Sequence, residues 1–322
     1  MAGKIAVVGG SGFIGTRLVR LLASSEYQIR ILDIVKSQEH PDLWVYADIR
    51  DKDLLLTALA GCDVVINLAA EHADDVQPIS LYDEVNVTGT RNLCEASKKL
   101  GIKKHIFTSS VAVYGLVKKV VDESGDLNPQ SHYGRTKKEA EHLYGQWLSE
   151  SSEASLTIVR PTVVFGERNC KGNVYNLIRQ IDSNRFVMVG KGTNKKSMAY
   201  VENVAAFIAH CLRFGPGLHL FNYVDKPDFD MNTLIALIRE KMGRDGKIGL
   251  RVPYWIGYFG GAIFDMLSYF TKQKFPISAS RVKKFCASTQ FSSSSIDECG
   301  FAPPYSIADG LGKTVGLDFD SN

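Results

Sequence analysis

The stretch Ile5-Ala6-Val7-Val8-Gly9-Gly10-Ser11-Gly12-Phe13-Ile14-Gly15 decides the fold. Its apolar start reads as a short strand, its glycines as a tight turn, and Thr16 to Ser24 as a helix. A second strand over Ile29 to Leu32 ends at Asp33. In that order the three glycines have separate jobs. Gly9 permits the turn, Gly12 lets a pyrophosphate approach the backbone, and Gly15 lets helix and strand pack closely. The helix N-terminus then meets the phosphates, and Phe13 and Ile14, in the turn, are further expected cofactor contacts.

Asp33 lies eighteen residues beyond Gly15, where a carboxylate accepts hydrogen bonds from an adenosine ribose. Its charge repels an extra 2'-phosphate, so the expected cofactor is NAD rather than NADP. Arg30 and Lys36 are the nearby cations that argue the other way. Asp48 and Ile49, at the end of the next strand, are placed to cap the adenine. Leu68-Ala69-Ala70 supplies small side chains where backbone passes near the cofactor.

Outward from this unit the rhythm repeats. Strands at Val64 to Ile66, His105 to Phe107 and Leu156 to Val159 alternate with helices at Gly89 to Leu100 and Tyr133 to Leu148. Apolar strands between amphipathic helices predict a parallel sheet covered on both faces, a doubly wound, Rossmann-like α/β fold. After Arg160-Pro161 the pattern loosens: a polar stretch over 166–173, a helix to about Ile181, and a polar loop over Lys191 to Lys196. Val204 to Phe214 reads as a helix, and Leu218 to Val224 as a strand returning to the sheet. The expected division is a dinucleotide-binding domain over 1–165, completed by 197–224. A smaller, discontinuous C-terminal substrate lobe then comprises 166–196 and 225–322.

With 322 residues, 45% of them hydrophobic, the chain can bury a large core. A formal charge of +3, with no basic stripe interleaved with aromatics, points away from nucleic acid. The six cysteines are scattered without close pairs, which reads as reduced thiols, and no histidine spacing suggests a metal site. No secretory signal zones precede Ile5, so cytoplasmic residence is expected. Tyr254 to Phe270 is nearly all apolar and aromatic but falls short of a membrane span. It reads as a helix covering a cleft or core, with peripheral membrane contact as the rival.

Tyr133 and Lys137 share a helical face, where the ammonium is expected to lower the phenol's pKa and let it exchange a proton with a carbinol. Thr108-Ser109-Ser110 lies just past a strand, at the carboxyl edge where such sheets gather ligands. One of the two serines holds the substrate oxygen, and physics alone does not separate them. Lys137 is also expected to bind the nicotinamide ribose. His132 points off the tyrosine's face, as a bystander or substrate contact. Asp122 and Glu123 read as two solvated loop charges.

These residues resemble the extended short-chain dehydrogenase/reductase family, in particular its nucleotide-sugar epimerase/dehydratase branch. The likeness covers nearly the whole chain. It is carried by Gly9 to Gly15, Asn67 to Ala70, Val85 to Thr90, Thr108 to Gly115 and Tyr133-Gly134-Arg135-Thr136-Lys137. It implies Ser110, Tyr133 and Lys137 as catalytic, Asn86 as a support, and a nucleotide-sugar substrate against the C-terminal lobe. Ser110 would also contact that substrate, and Asn173, Lys195 and Lys196 are the expected diphosphate contacts, with solvated loop residues an equal reading. The resemblance also implies a homodimer through the helices at 89–100 and 133–148.

Departures from the family pattern narrow the reaction. Dehydratases carry Asp-Glu directly after the catalytic hydroxyl, but Val111-Ala112 follows Ser110. Val163 stands where many 4-epimerases have asparagine, and Arg160-Pro161-Thr162 looks more like branches that reduce a keto-sugar or oxidise a sterol-like alcohol. The first expectation is C4 epimerisation of a UDP-sugar by NAD. Reduction of a nucleotide-linked 4-keto-6-deoxy sugar by NAD(P)H is the alternative. A dehydrogenase of a hydrophobic alcohol and a non-catalytic NAD-binding scaffold are further ones.

Overall fold

The computed structural model describes residues 3–73, 76–117, 119–169, 172–271 and 278–319. The chain begins with β1 (Lys4–Val8), α1 (Phe13–Ala23), β2 (Gln28–Asp33), β3 (Trp44–Tyr46), α2 (Lys52–Leu59) and β4 (Val64–Asn67). A short helix, α3 (Ser80–Tyr82), runs through a π-helical segment (Asp83–Thr88) into α4 (Gly89–Leu100). β5 (Lys104–Thr108), α5 (His132–Ser149) and β6 (Ser155–Pro161) follow. The helix expected from Gly89 therefore starts at Ser80. The wide turn it contains buries Asn86 and Val87, a use of π geometry common near functional sites.

The C-terminal part comprises β7 (Val163–Phe165), α6 (Asn173–Asp182), β8 (Met188–Val189), β9 (Lys195–Tyr200), α7 (Val201–His210), β10 (Gly217–Tyr223) and β11 (Asp225–Asp230). It ends with α8 (Met231–Lys241), β12 (Arg251–Val252), α9 (Tyr254–Thr271), α10 (Ala279–Cys286), α11 (Ser294–Glu298) and α12 (Ile307–Asp318).

Seven strands form one parallel sheet in the order β10-β6-β5-β4-β1-β2-β3. Its direction of progression reverses between β1 and β4. The carboxyl ends of those two strands therefore open the crevice where doubly wound sheets take ligands. β10 joins along its length from Gly217 against Ser155 to Tyr223 against Pro161, so the chain does return to the sheet. One face packs Leu18, Val19 and Leu22 of α1 against Val204, Phe207 and Ile208 of α7. The other face is covered by α2 and α4 through Leu55, Leu59, Leu93 and Ala96, and by α5 through Ala140, Tyr144 and Trp147.

A second core joins Ile178 and Ile181 of α6 to Leu234, Ile235 and Ile238 of α8, with Leu311 and Val315 of α12. Beside it lie a three-stranded sheet, β11-β9-β7, and a two-stranded one, β12-β8. The polar loop expected over Lys191 to Lys196 is corrected at its end: Lys195 and Lys196 open β9 and pair with Asp230 and Phe229. Lysines alternate across this strand edge as readily as they sit in a loop, so composition alone misreads them. Glu123 also departs from its expected solvation, accepting the Asn222 N–H at 2.7 Å and the Ser295 hydroxyl, while Asp122 stays exposed.

Among the described residues no helix is long and apolar enough to cross a membrane. The five described cysteines are free, and Cys170 lies outside the described residues.

Candidate active site

The glycine turn is built by contacts that leave no room for side chains. A Cβ on Gly9, whose φ is +78°, would lie 2.7 Å from the Ala69 nitrogen, and one on Gly15 would lie 2.5 Å from the Gly9 carbonyl oxygen. Gly12 is exposed and ends the turn as the N-cap of α1 without a side-chain cap, so the first N–H groups of the helix face outward. Phe13 and Ile14 are half-buried in that first turn, and the Ser11 hydroxyl is buried without a hydrogen-bond partner. An uncapped helix end, a backbone-lined cradle and an orphaned hydroxyl fit a dinucleotide pyrophosphate.

Asp33 closes the turn from β2, its carboxylate accepting the Ser11 N–H at 3.0 Å and the Val35 N–H at 2.9 Å. Arg30 is turned away, donating to the Ala60 carbonyl at 3.1 Å, and Lys36 lies over the Trp44 ring. Neither cation lies against Asp33 in a phosphate pocket. Asp48 is held by Arg50 at 2.6 Å, which keeps its carboxyl below the usual range, and Ile49 is buried against Gly89. Leu68 and Ala69 leave β4 opposite the glycine turn: Leu68 N–H donates to the Val8 carbonyl at 2.8 Å, and Ala69 N–H to Asn67 at 3.1 Å. Ala70 follows, half-buried.

Across the crevice, α5 starts where Ser131 accepts the Gly134 N–H as its cap. Gly134 lets that first turn press onto the 3₁₀ segment Val111–Tyr114, since a Cβ there would meet the Ala112 carbonyl oxygen at 2.5 Å. This contact brings Tyr133 close enough to Ser110 for the serine hydroxyl to act on the phenol, while Ser110 Oγ accepts the Ala112 N–H at 3.1 Å. Burial pushes the Tyr133 phenol up to about 12, against the smaller opposing effect of Ser110. Lys137, one turn on, is 2% exposed and donates to the Thr108 carbonyl at 2.8 Å. Its ammonium is pushed down to about 7 by burial, with Glu141 opposing.

The expectation that Lys137 lowers the phenol's pKa is thus corrected. The lysine lies 5.9 Å from the Tyr133 ring centroid and 4.7 Å from that of Phe107, and the phenol's shift is set by desolvation, with Ser110 as the opposing influence.

The two serines are separated by geometry. Ser109 is buried and gives its hydroxyl to Glu141, whereas Ser110 faces Tyr133. Asn86 accepts the Glu71 N–H at 2.9 Å and donates to the Thr136 hydroxyl at 2.9 Å, tying the π segment to α5. His132 stacks on Tyr82 with ring centroids 6.0 Å apart.

Glu141 and Arg160 were not singled out as site residues. An arginine inside the apolar run Leu156 to Pro161 needs a buried counter-charge, and a glutamate four residues past Lys137 lies on the inward face. Those two signals, read together, would have found the pair.

The expected diphosphate contacts are scattered. Asn173 is exposed at the start of α6. Lys195 is exposed on β9, and the half-buried Lys196 commits its ammonium to the Lys284 and Ala287 carbonyls, the first at 2.9 Å. Among the described residues no group of three His, Cys, Asp or Glu side chains is placed to hold a metal ion.

Comparison with known proteins agrees with this fold. The profile of the NAD dependent epimerase/dehydratase family matches residues 5–222. The N-acetyl-α-D-glucosaminyl-diphospho-ditrans,octacis-undecaprenol 4-epimerase of Escherichia coli O157:H7 is 48% identical, over 99% of this chain and 96% of its own. UDP-glucose 4-epimerase of Vibrio cholerae is 27% identical, over 100% and 97%. The solved UDP-glucuronic acid 4-epimerase of Bacillus cereus, in complex with NAD, superposes with a TM-score of 0.76 at 22% identity, covering 98% of this chain and 97% of that one. On the profile match over 5–222 and the 48% relative, the chain belongs to the NAD-dependent epimerase/dehydratase family, a branch of the extended short-chain dehydrogenases/reductases.

Proposed function

We propose that the chain is an NAD-dependent C4 epimerase of an N-acetylhexosamine carried on a polyprenyl diphosphate. The observation that supports this best is the 48% identity, across nearly the whole of both chains, to an epimerase named for a diphospho-undecaprenol substrate. A UDP-linked sugar is the second reading, supported by the 27% match over the full chain to UDP-glucose 4-epimerase.

NAD, when bound, supplies a reversible acceptor for the hydrogen at C4. Ser110 holds the C4 oxygen by a hydrogen bond, and Tyr133 takes the proton from the C4 hydroxyl and later returns it to the ketone oxygen. Inversion requires the ketone to turn over inside the site before hydrogen returns to C4, on the opposite face of the carbon. With the phenol near 12 and the ammonium near 7, Tyr133 is poised at neutral pH to donate to a ketone. Alcohol oxidation needs the phenolate, so that half of the reaction gains from rising pH.

The test incubates the protein and NAD with N-acetylglucosaminyl-diphospho-polyprenol or UDP-N-acetylglucosamine, then identifies the hexosamine after mild acid release. Formation of the C4 epimer from the lipid-linked sugar, with no net change at 340 nm, is the expected result. Turnover of the UDP-sugar alone would replace the carrier. Stoichiometric NADH loss with a 4-keto sugar, without epimer from either carrier, would replace the reaction by ketoreduction.

A further inference from the structure

Helix α9 is built the wrong way round for a helix that meets water. Two of its three glycines face inward: a Cβ on Gly257 would lie 2.4 Å from Val189, and one on Gly261 would lie 2.6 Å from the Ala279 nitrogen, while Gly260 faces open space. The large apolar residues stand outside. Trp255 is 62% exposed, Phe259 62%, Ile263 57% and Met266 58%. Their spacing of four, four and three residues places them in one row along the helix. Isolated exposed apolar residues are ordinary, but a continuous aromatic and aliphatic row marks an interaction surface. The helix covers Val189 and the start of α10 with its glycine face and turns these large side chains away from them.

Charge decides what covers the row. The segment 247–284 carries seven Lys or Arg residues against a single acid, Asp265, in a chain whose formal charge is only +3. Asp265 is engaged, accepting the Ala279 N–H at the start of α10 at 3.0 Å. Lys283 and Lys284 are exposed on α10 beside the row; ahead of it Lys247 pairs with Asp245 at 3.4 Å, and Arg251 donates to the Lys191 carbonyl at 2.7 Å and to Asn232 at 2.9 Å. A second copy of this chain docked symmetrically on α9 would bring two such basic segments face to face. An anionic bilayer satisfies both features together, taking Trp255 and Phe259 into its headgroup layer and the lysines against lipid phosphates.

We propose that α9 lies in the plane of an anionic membrane surface and docks the protein there without spanning it. The inference stands on α9 and its surrounding charges, and holds whichever carrier bears the sugar.

Co-sedimentation with vesicles tests it, using phosphatidylethanolamine with 30% phosphatidylglycerol in one arm and phosphatidylcholine alone in the other. We expect at least tenfold stronger partition to the anionic vesicles, weakened severalfold by 0.5 M salt. A Trp255→Glu/Phe259→Glu double variant, and separately Lys283→Glu/Lys284→Glu, should each lose about tenfold while melting and eluting from a sizing column like the parent. The salt response of the unmodified protein needs no variant and guards against misfolding. Absence of vesicle binding, or binding indifferent to both double variants, would overturn the proposal. So would a parent dimer that the Trp255→Glu/Phe259→Glu variant converts to monomer with no change at the vesicle, since α9 would then be a subunit interface.

Discussion

Arg160 on β6 donates through Nη2 to Glu141 Oε2 at 2.6 Å and through Nε to Glu141 Oε1 at 2.9 Å, a two-pronged ion pair sealed between the sheet and α5. The side chains are 4% and 7% exposed. Ser109 donates to the same carboxylate, and the Tyr114 hydroxyl accepts from Arg160 at 2.6 Å. The pair therefore locks the helix that carries Tyr133 and Lys137 to the strands behind it. Removing one member strands the other's charge in the interior. Glu141→Ala should cost about 3–5 kcal/mol in urea unfolding. The apolar double substitution Glu141→Leu/Arg160→Met should cost much less than the two single changes added together. A Glu141→Ala variant within about 0.5 kcal/mol of the parent, the range of ordinary surface substitutions, would show that α5 is held by its apolar face alone.

Neighbouring serines should fail in different ways. Ser110 faces Tyr133, so Ser110→Ala should lower kcat about 100-fold, in the range for losing one oxygen-binding donor, with about 1 kcal/mol of stability lost because its Oγ also caps the Ala112 N–H at 3.1 Å. Ser109 donates inward to Glu141, so Ser109→Ala should cost about 1–2 kcal/mol of stability and leave kcat within a few-fold. Steady-state kinetics beside thermal melts of both variants checks this, and an exchange of the two phenotypes would reassign the substrate oxygen to Ser109.

Lys137 costs the fold stability at neutral pH. Its folded pKa of about 7 lies below the ordinary lysine value of 10.5, so the unfolded chain binds more protons between those values and stability rises with pH across that window. Below pH 7 the penalty is fully present. Lys137→Met removes it, at the expense of the hydrogen bond to Thr108. At pH 6 the variant should be more stable than the parent by about 1–3 kcal/mol, with the difference shrinking toward pH 10 while turnover is lost throughout. Thermal melts at pH 6, 8 and 10 measure the gap, and a gap constant in pH would mean that the ammonium is solvated.

What was legible in the sequence was local. Gly9, Gly12, Gly15 and Asp33 sit within one strand-turn-helix-strand unit, and Tyr133 and Lys137 are a helical turn apart, so spacing alone places them. What escaped depends on distant partners. The fate of Glu123 is set by Asn222 and Ser295, and the strand character of Lys195 and Lys196 by pairing with β11. The π segment hid the true start of α4 because its wide turn breaks the 3.6-residue pattern. The direction of the Tyr133 shift escaped for another reason. Spacing reports that a lysine is near, but not that both groups are desolvated. For α9, composition announced an apolar helix, and only the inward packing of Gly257 and Gly261 shows which side faces out.

Two glycines in the same turn separate packing from cofactor approach. A Cβ on Gly15 would lie 2.5 Å from the Gly9 carbonyl oxygen and 2.6 Å from the Gly10 Cα, both backbone atoms that no rotamer change can move. Gly15→Ala must therefore shift α1 or the turn, and should cost about 1–3 kcal/mol as overpacking does, losing NAD affinity with it. A Cβ on Gly12 would meet only the Gly9 carbonyl oxygen, at 3.2 Å, and Gly12 is exposed at the mouth of the turn. Gly12→Ala should melt with the parent yet bind NAD at least tenfold more weakly, because the added methyl stands where the pyrophosphate approaches the backbone. Thermal melts with NADH fluorescence titration resolve the two effects. Undiminished affinity in Gly12→Ala would move the pyrophosphate off Gly12 and leave the uncapped N–H groups of α1 as its main contact.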